Sequence, residues 1–204
     1  MAITSGRCWP PGEEIAPGEA AVKVTETELE GVFVVEPQVH GDERGFFVEQ
    51  FNAERYEAAG LPALAPLQFN HSRSARGTLR GLHFQHPRGQ DKLVWVASGC
   101  VFDVAVDVRR GSPTLGQWTG CELSADNHLQ LFVPAGFAHG FVVTSEQADF
   151  MYACSDYYAP DCEHAVAYND PSIGIRWPED LELTLSDRDR AAPLLVDAEG
   201  LPEY

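Results

Sequence analysis

The sequence predicts an all-β protein, an antiparallel sandwich or barrel carrying a few short helices. Three observations carry that expectation. Runs rich in β-branched and aromatic residues recur at a spacing of roughly 8–12 residues, the interval of such folds. Gly, Pro, Asn and Asp separate the runs, as turn residues do. No segment shows the alternation of strand and long helix that builds a parallel sheet, and no repeat of solenoid period is present.

In chain order the runs are 31–37 (GVFVVEP), 45–51 (GFFVEQF), 66–70 (PLQFN), 79–85 (LRGLHFQ), 92–99 (KLVWVASG) and 100–109 (CVFDVAVDVR). They continue with 117–124 (QWTGCELS), 129–134 (LQLFVP), 139–145 (HGFVVTS) and 149–155 (DFMYACS). Residues 53–61 (AERYEAAGL) form the clearest helical segment, closed by Gly60, and a second helical turn is expected near the C-terminus. Residues 1–22 are rich in Pro, Gly and Glu and lack periodicity, so they read as a flexible leader. Linker signals never divide the strands into two sets, which makes residues 23–204 one domain.

The 101–108 run bears on a cavity. Its alternation places Phe102, Val104, Val106 and Val108 on one face and Val101, Asp103, Ala105 and Asp107 on the other. Either the second face meets solvent, or it lines a polar barrel interior in which Ala105 leaves room for a ligand. The pattern is equally consistent with both.

Composition excludes several classes of function. The 204 residues hold 14 Lys and Arg against 31 Asp and Glu, a formal charge of −17, with 44% hydrophobic residues. A surface of that sign repels nucleic-acid phosphates and anionic lipid headgroups. A small anionic ligand stays possible, since a few bases inside a pocket reverse the local field. The five cysteines (Cys8, Cys100, Cys121, Cys154, Cys162) are odd in number and form no Cys-x-x-Cys pair, so free thiols in a reducing compartment are expected. With no apolar run of membrane-spanning length and no secretory signal, the expectation is a soluble, cytoplasmic protein.

Among seven histidines, His83 and His139 have distinctive settings: Arg80-Gly81-Leu82-His83-Phe84-Gln85 and Pro134-Ala135-Gly136-Phe137-Ala138-His139-Gly140-Phe141. The Pro-x-Gly-x-x-His turn resembles the second cupin motif, whose His binds a metal. Cupin ligands usually come as His-x-His followed closely by Glu. Here His83 and His86 are spaced His-x-x-His, and Arg88, Gln90, Asp91 and Lys92 follow, a cation where a metal would sit. No metal is expected. Acid–base chemistry fits better: it needs a near-neutral base, a partner to orient it, a proton donor and a cation for developing negative charge. His83, Tyr152 and either Lys92 or Arg80 are of the right types.

Longer motifs carry a resemblance. Asp42-Glu43-Arg44-Gly45-Phe46-Phe47-Val48-Glu49, Gln68-Phe69-Asn70-His71-Ser72 and Leu79-Arg80-Gly81-Leu82-His83-Phe84-Gln85 resemble the dTDP-4-dehydrorhamnose 3,5-epimerase family. So do Lys92-Leu93-Val94, the 101–107 run, Gly111-Ser112-Pro113-Thr114, Gly136-Phe137-Ala138-His139-Gly140-Phe141, Tyr157-Tyr158-Ala159-Pro160, Asn169-Asp170-Pro171, Trp177-Pro178 and Leu185-Ser186-Asp187-Arg188-Asp189. The resemblance spans residues 24–190 in order and leaves out the leader.

It implies a cupin-type jelly-roll barrel that uses no metal or other cofactor, assembles as a homodimer, and takes a dTDP-4-keto-6-deoxyhexose as substrate. It also implies that the N-terminal segment reaches the neighbouring subunit's site. By the same resemblance His83 is the general base, Asp189 its carboxylate partner, Tyr152 the proton donor and Lys92 the cation at the C4 oxygen. Arg44, Phe47, Glu49, Gln68, Phe69, Asn70, Arg80, Lys92, His139, Glu163 and Arg188 are the implied substrate contacts. Arg188 stands where Lys is frequent, which keeps the charge and adds a fork for oxygen ligands. Two alternatives accompany this reading: an epimerase acting at a single carbon, and a non-catalytic or metal-dependent cupin binding protein.

Overall fold

The computed structural model describes residues 22–204, so the body of the predicted leader and Cys8 lie outside the described residues. Thirteen strands are formed: β1 (Val22–Glu26), β2 (Phe33–Pro37), β3 (Val39–Asp42), β4 (Gly45–Val48), β5 (Gln68–Ala75), β6 (Leu79–Gln85), β7 (Lys92–Ser98), β8 (Cys100–Asp107), β9 (Trp118–Ser124), β10 (Gln130–Val133), β11 (Phe137–Val143), β12 (Gln147–Cys154) and β13 (Glu163–Ala165). A six-stranded sheet runs β1-β2-β10-β7-β12-β5, a five-stranded sheet runs β13-β6-β11-β8-β9, and β3 and β4 make a separate two-stranded ribbon. All pairings between these strands are antiparallel. The strand order, with sequence neighbours often in opposite sheets, is that of a jelly-roll barrel.

Every predicted run contains a strand. Three strands are additional. β1 alternates (Val22-Lys23-Val24-Thr25) but lies at the edge of the predicted leader, whereas β13 has only three residues and β3 is polar and mostly exposed, so neither of these two offers a clear apolar alternation.

Two layers of core explain why the strands read as they do. Between the sheets, Val94, Val96, Val101, Ala105, Leu131, Phe141 and Phe150 pack together. Outside the five-stranded sheet, Leu82, Phe84, Val104, Val106 and Ala138 are covered by Ile173, Trp177 and Leu195 of the C-terminal segment. β8 is therefore buried on both faces, and the solvent reading of its aspartates does not hold: Asp103 and Asp107 are both 0% exposed. Asp107 accepts from Arg109, from Ser112 Oγ at 2.6 Å and from Thr114 Oγ1 at 2.6 Å, so the Ser112–Thr114 turn closes over it.

The predicted helix is α1 (Ala53–Ala58), capped by Asn52, whose Oδ1 accepts from Arg55 N at 3.2 Å. Gly60, at φ +102°, ends it in the left-handed conformation that glycine adopts without strain. Tyr56 fastens α1 to the outer face of the six-stranded sheet beside Val35, Leu93 and Phe132. The expected C-terminal turn is α2 (Asp187–Arg190), capped by Ser186. No helix among the described residues is long and apolar enough to cross a membrane.

Candidate active site

Alternation decides which side chains enter the barrel. On β5, Gln68, Asn70, Ser72 and Ser74 turn inward while Phe69, His71 and Arg73 turn out. On β12, Tyr152 and Cys154 share the inward face, and in register with them on β7 stand Val94 and Lys92. Across the interior, β6 presents His83, whose cross-strand neighbour on β11 is His139. β6 and β11 approach backbone to backbone here. A Cβ on Gly81 would lie 2.6 Å from the Gly140 Cα, so only glycine permits the approach that seats His83.

These faces enclose a pocket of about 650 Å³. His83, Lys92, Tyr152 and Asp189 all line it, as do Gln68, Asn70, Arg80, His139, Glu163 and Arg188. Asp189 comes from far along the chain. Ser186 Oγ accepts from Asp189 N at 3.1 Å, and that cap turns the Asp189 side chain inward to meet His83 Nε2 at 2.6 Å. The His83 side chain is 29% exposed and that of Asp189 only 6%, so the imidazole reaches the pocket while its partner stays behind it. Burial opposes ionisation of Asp189, but its hydrogen bonds and charge contact with His83 outweigh that and hold its carboxyl below the usual range.

Tyr152 stands on the facing sheet, and burial raises its phenol above the ordinary value, with the nearby Arg80 charge working the other way. Lys92 is more enclosed still. Burial pulls its ammonium below the ordinary lysine value, and it forms no ion pair among the described residues. Arg80 also lacks a carboxylate partner among the described residues; its Nε donates to Ser74 Oγ at 3.0 Å. The carboxylates of the pocket are each committed: Asp189 to His83, and Glu163 to Arg188 at 2.6 Å and to the Tyr158 hydroxyl. Burial disfavours the charged form of Glu163, yet these bonds keep its carboxyl below the ordinary value. Arg80 and Lys92 thus remain as uncompensated positive charge inside an acidic protein. Such a pocket suits an anionic ligand with an oxygen that gains negative charge.

Four predicted contacts are not brought to this pocket. Phe69 faces outward from β5, because the alternation that turns Gln68 and Asn70 in turns it out. Arg44, in the β3–β4 ribbon, pairs with Asp42, its Nε lying 3.0 Å from Oδ2. Phe47 and Glu49 border a separate hollow of about 60 Å³, where Glu49 binds Arg55 at 2.7 Å. Conversely, Ser72, Phe141, Phe150 and Tyr158 line the main pocket without having been picked out as contacts. Strand alternation extended from Gln68 and Asn70 reaches Ser72, and Tyr158 stands within the Tyr157–Pro160 motif.

The family model for dTDP-4-dehydrorhamnose 3,5-epimerase matches residues 26–197. A dTDP-4-dehydrorhamnose 3,5-epimerase of Pseudomonas aeruginosa is 50% identical over 181 residues, covering 89% of this chain and 100% of that protein. Among solved structures, a dTDP-6-deoxy-D-glucose-3,5-epimerase of Legionella pneumophila in complex with dTDP-4-keto-L-rhamnose matches with TM-score 0.85 and 50% identity, over 90% of this chain and 98% of that one. A 3'-monoepimerase of Streptomyces bikiniensis in complex with dTDP-quinovose matches with TM-score 0.83 and 40% identity, over 87% of this chain and 92% of that one. The chain belongs to the dTDP-4-dehydrorhamnose 3,5-epimerase family.

Proposed function

We propose that this protein is an isomerase that converts dTDP-4-dehydro-6-deoxy-D-glucose to dTDP-4-dehydro-L-rhamnose in the cytoplasm, inverting carbons 3 and 5 by proton transfer. One observation carries the reading: the His83–Asp189 pair, at 2.6 Å, faces Tyr152 across a pocket that also holds the unpaired ammonium of Lys92.

Both carbons flank the C4 ketone, which makes their protons acidic. The free ring nitrogen of His83 takes a proton from carbon, and the electron pair passes to the C4 oxygen as an enolate. Lys92 stabilises that oxygen by charge. Tyr152, from the opposite sheet, returns a proton to the other face of the carbon, inverting it. Once His83 has released its proton to solvent and Tyr152 has regained one, repetition at the second carbon completes the reaction. Asp189 keeps the His83 proton on Nε2 and stabilises the imidazolium that forms. Each inversion is redox-neutral, so the steps need no redox cofactor. Arg80 and Arg188 bind the diphosphate.

Arg44, Phe47 and Glu49 fit this scheme if the protein is a homodimer whose β3–β4 ribbon serves the partner's pocket. The ribbon stands apart from both large sheets, and Phe46 and Phe47 are 63% and 68% exposed on it, an apolar surface suited to burial against a second copy. Light scattering is expected to give twice the chain mass.

The test is incubation with dTDP-4-keto-6-deoxy-D-glucose in deuterated water. Deuterium is expected at both C3 and C5, and His83→Ala is expected to slow exchange by roughly 10²–10⁴-fold, the usual contribution of a general base. Tyr152→Phe is expected to reduce epimerisation more than the first proton loss. The likeness to a 3'-monoepimerase supports a second reading, inversion at one carbon. Deuterium at C3 alone would establish it, and no exchange at all would sink both.

A further inference from the structure

Asp103 takes no part in the steps above, yet it lies at the heart of the barrel, 0% exposed. Both of its carboxylate oxygens lie 3.0 Å from Nε2 of His139. The titratable groups facing it come from three neighbouring strands: His139 on β11, Lys92 on β7 and Cys121 on β9. His139 and Lys92 both line the pocket. His139 is further fixed by stacking on Phe150, at 6.1 Å between centroids, and stands beside His83 in the sheet.

We propose that Asp103 is a positioning residue of the reaction, orienting His139 toward the sugar and fixing which of its ring nitrogens carries the proton. The inference rests on the proton-transfer reading of the pocket. A carboxylate this deep is costly to ionise, and burial does push the Asp103 carboxyl above its ordinary value, with His139 and Lys92 opposing. Both oxygens are spent on His139, and Asp103 forms no ion pair with Lys92, so the carboxylate acts through that imidazole. Through the bond to Asp103, His139 holds its proton on Nε2, leaving Nδ1 as the ring's acceptor.

Asp103→Asn tests this with the shape of the site kept. In the deuterium assay its kcat is expected to fall roughly 10- to 100-fold, the range carried by groups that orient a reactive side chain. dTDP affinity, read by calorimetry, is expected to be unchanged. His139→Gln is expected to lower kcat at least as much, and Asp103→Asn to add little to it, because the carboxylate acts through that ring. Turnover at the wild-type rate, a fall in kcat with equal loss of dTDP binding, or losses that add in the double variant overturn the inference. Wild-type protein that exchanges no deuterium would instead defeat the functional reading, and this one with it. If the variant fails to fold, nitrogen-15 NMR of the wild-type protein decides: a His139 ring carrying its proton on Nδ1 contradicts the proposed bond.

Discussion

Two cations of the pocket, Arg80 and Lys92, are held differently from several cations of the outer surface. Outside, Lys23, Arg55, Arg73 and Arg88 each rest against a carboxylate at 2.5–2.7 Å. In the pocket, Arg80 and Lys92 meet none among the described residues, although the chain has 31 acidic residues. Exposed pairs contribute little to stability, and an unpaired ammonium in a desolvated site detracts from it. The pocket therefore carries its charge at the expense of the fold, and the return is binding and stabilisation of an anion. Net charge says nothing of this, because the 14 bases matter by location rather than by number.

The sharpest way to break the contrast is Lys92→Met. If Lys92 stabilises the enolate, kcat is expected to fall by roughly 10²–10³-fold, the usual loss for one oxyanion donor. Its melting temperature is expected to stay level or rise, because an apolar chain of similar length replaces a buried, unpaired charge. Steady-state kinetics beside thermal melts checks both. A variant that loses activity only because it unfolds would show that Lys92 belongs to the core rather than to the chemistry.

Arg80→Gln comes next. Arg80 has no carboxylate to release, so its full charge is available to the diphosphate. Its loss is expected to raise KM roughly 10- to 100-fold, as for charge-assisted bonds of about 1.5–3 kcal/mol, with a smaller effect on kcat. Arg188→Gln is expected to cost less, roughly 3- to 10-fold in dTDP affinity, because Arg188 exchanges its bond to Glu163 for one to the ligand. Calorimetry with dTDP ranks the two, and equal losses would mean that the Glu163 contact is immaterial.

Much of this was legible in the sequence, for reasons that differ by residue. The recurrence of short β-type runs found the barrel walls, while Gln68 and Asn70 came from the resemblance and strand alternation explains why both face inward. Alternation left β8 ambiguous, because one face is buried between the sheets and the other by C-terminal residues more than sixty positions away, and neither leaves a mark within the strand itself. The His83–Asp189 pair was reached through motif resemblance alone: 106 positions separate the two residues, and only the turn capped by Ser186 brings them together. Phe69 shows the reverse limit. A motif names neighbours in sequence, and in a strand immediate neighbours face opposite ways.

The outer surface offers the smallest and cleanest contrast. Asp149 lies between His71 Nε2 at 2.9 Å and Arg73 Nη2 at 2.7 Å, on the face of the six-stranded sheet away from the pocket. Its bonds to Arg73 and His71 hold its carboxyl far below the usual value. A group whose folded value is depressed contributes stability in full above its unfolded value, about 3.9, and loses that contribution as pH falls through the folded value. Asp149→Asn is therefore expected to melt at a lower temperature than wild type at pH 7, by a margin that shrinks as pH drops below about 4. Its kcat is expected to be unchanged, since neither the carboxylate nor its partners line the pocket. Paired melts at pH 7 and pH 3 with a single kinetic assay test both halves. A margin that widens in acid would mean that Asp149 is stabilised by contacts other than His71 and Arg73. A loss of kcat would mean that the outward face of β5 communicates with the site, and the division between paired surface charge and unpaired pocket charge would then be too simple.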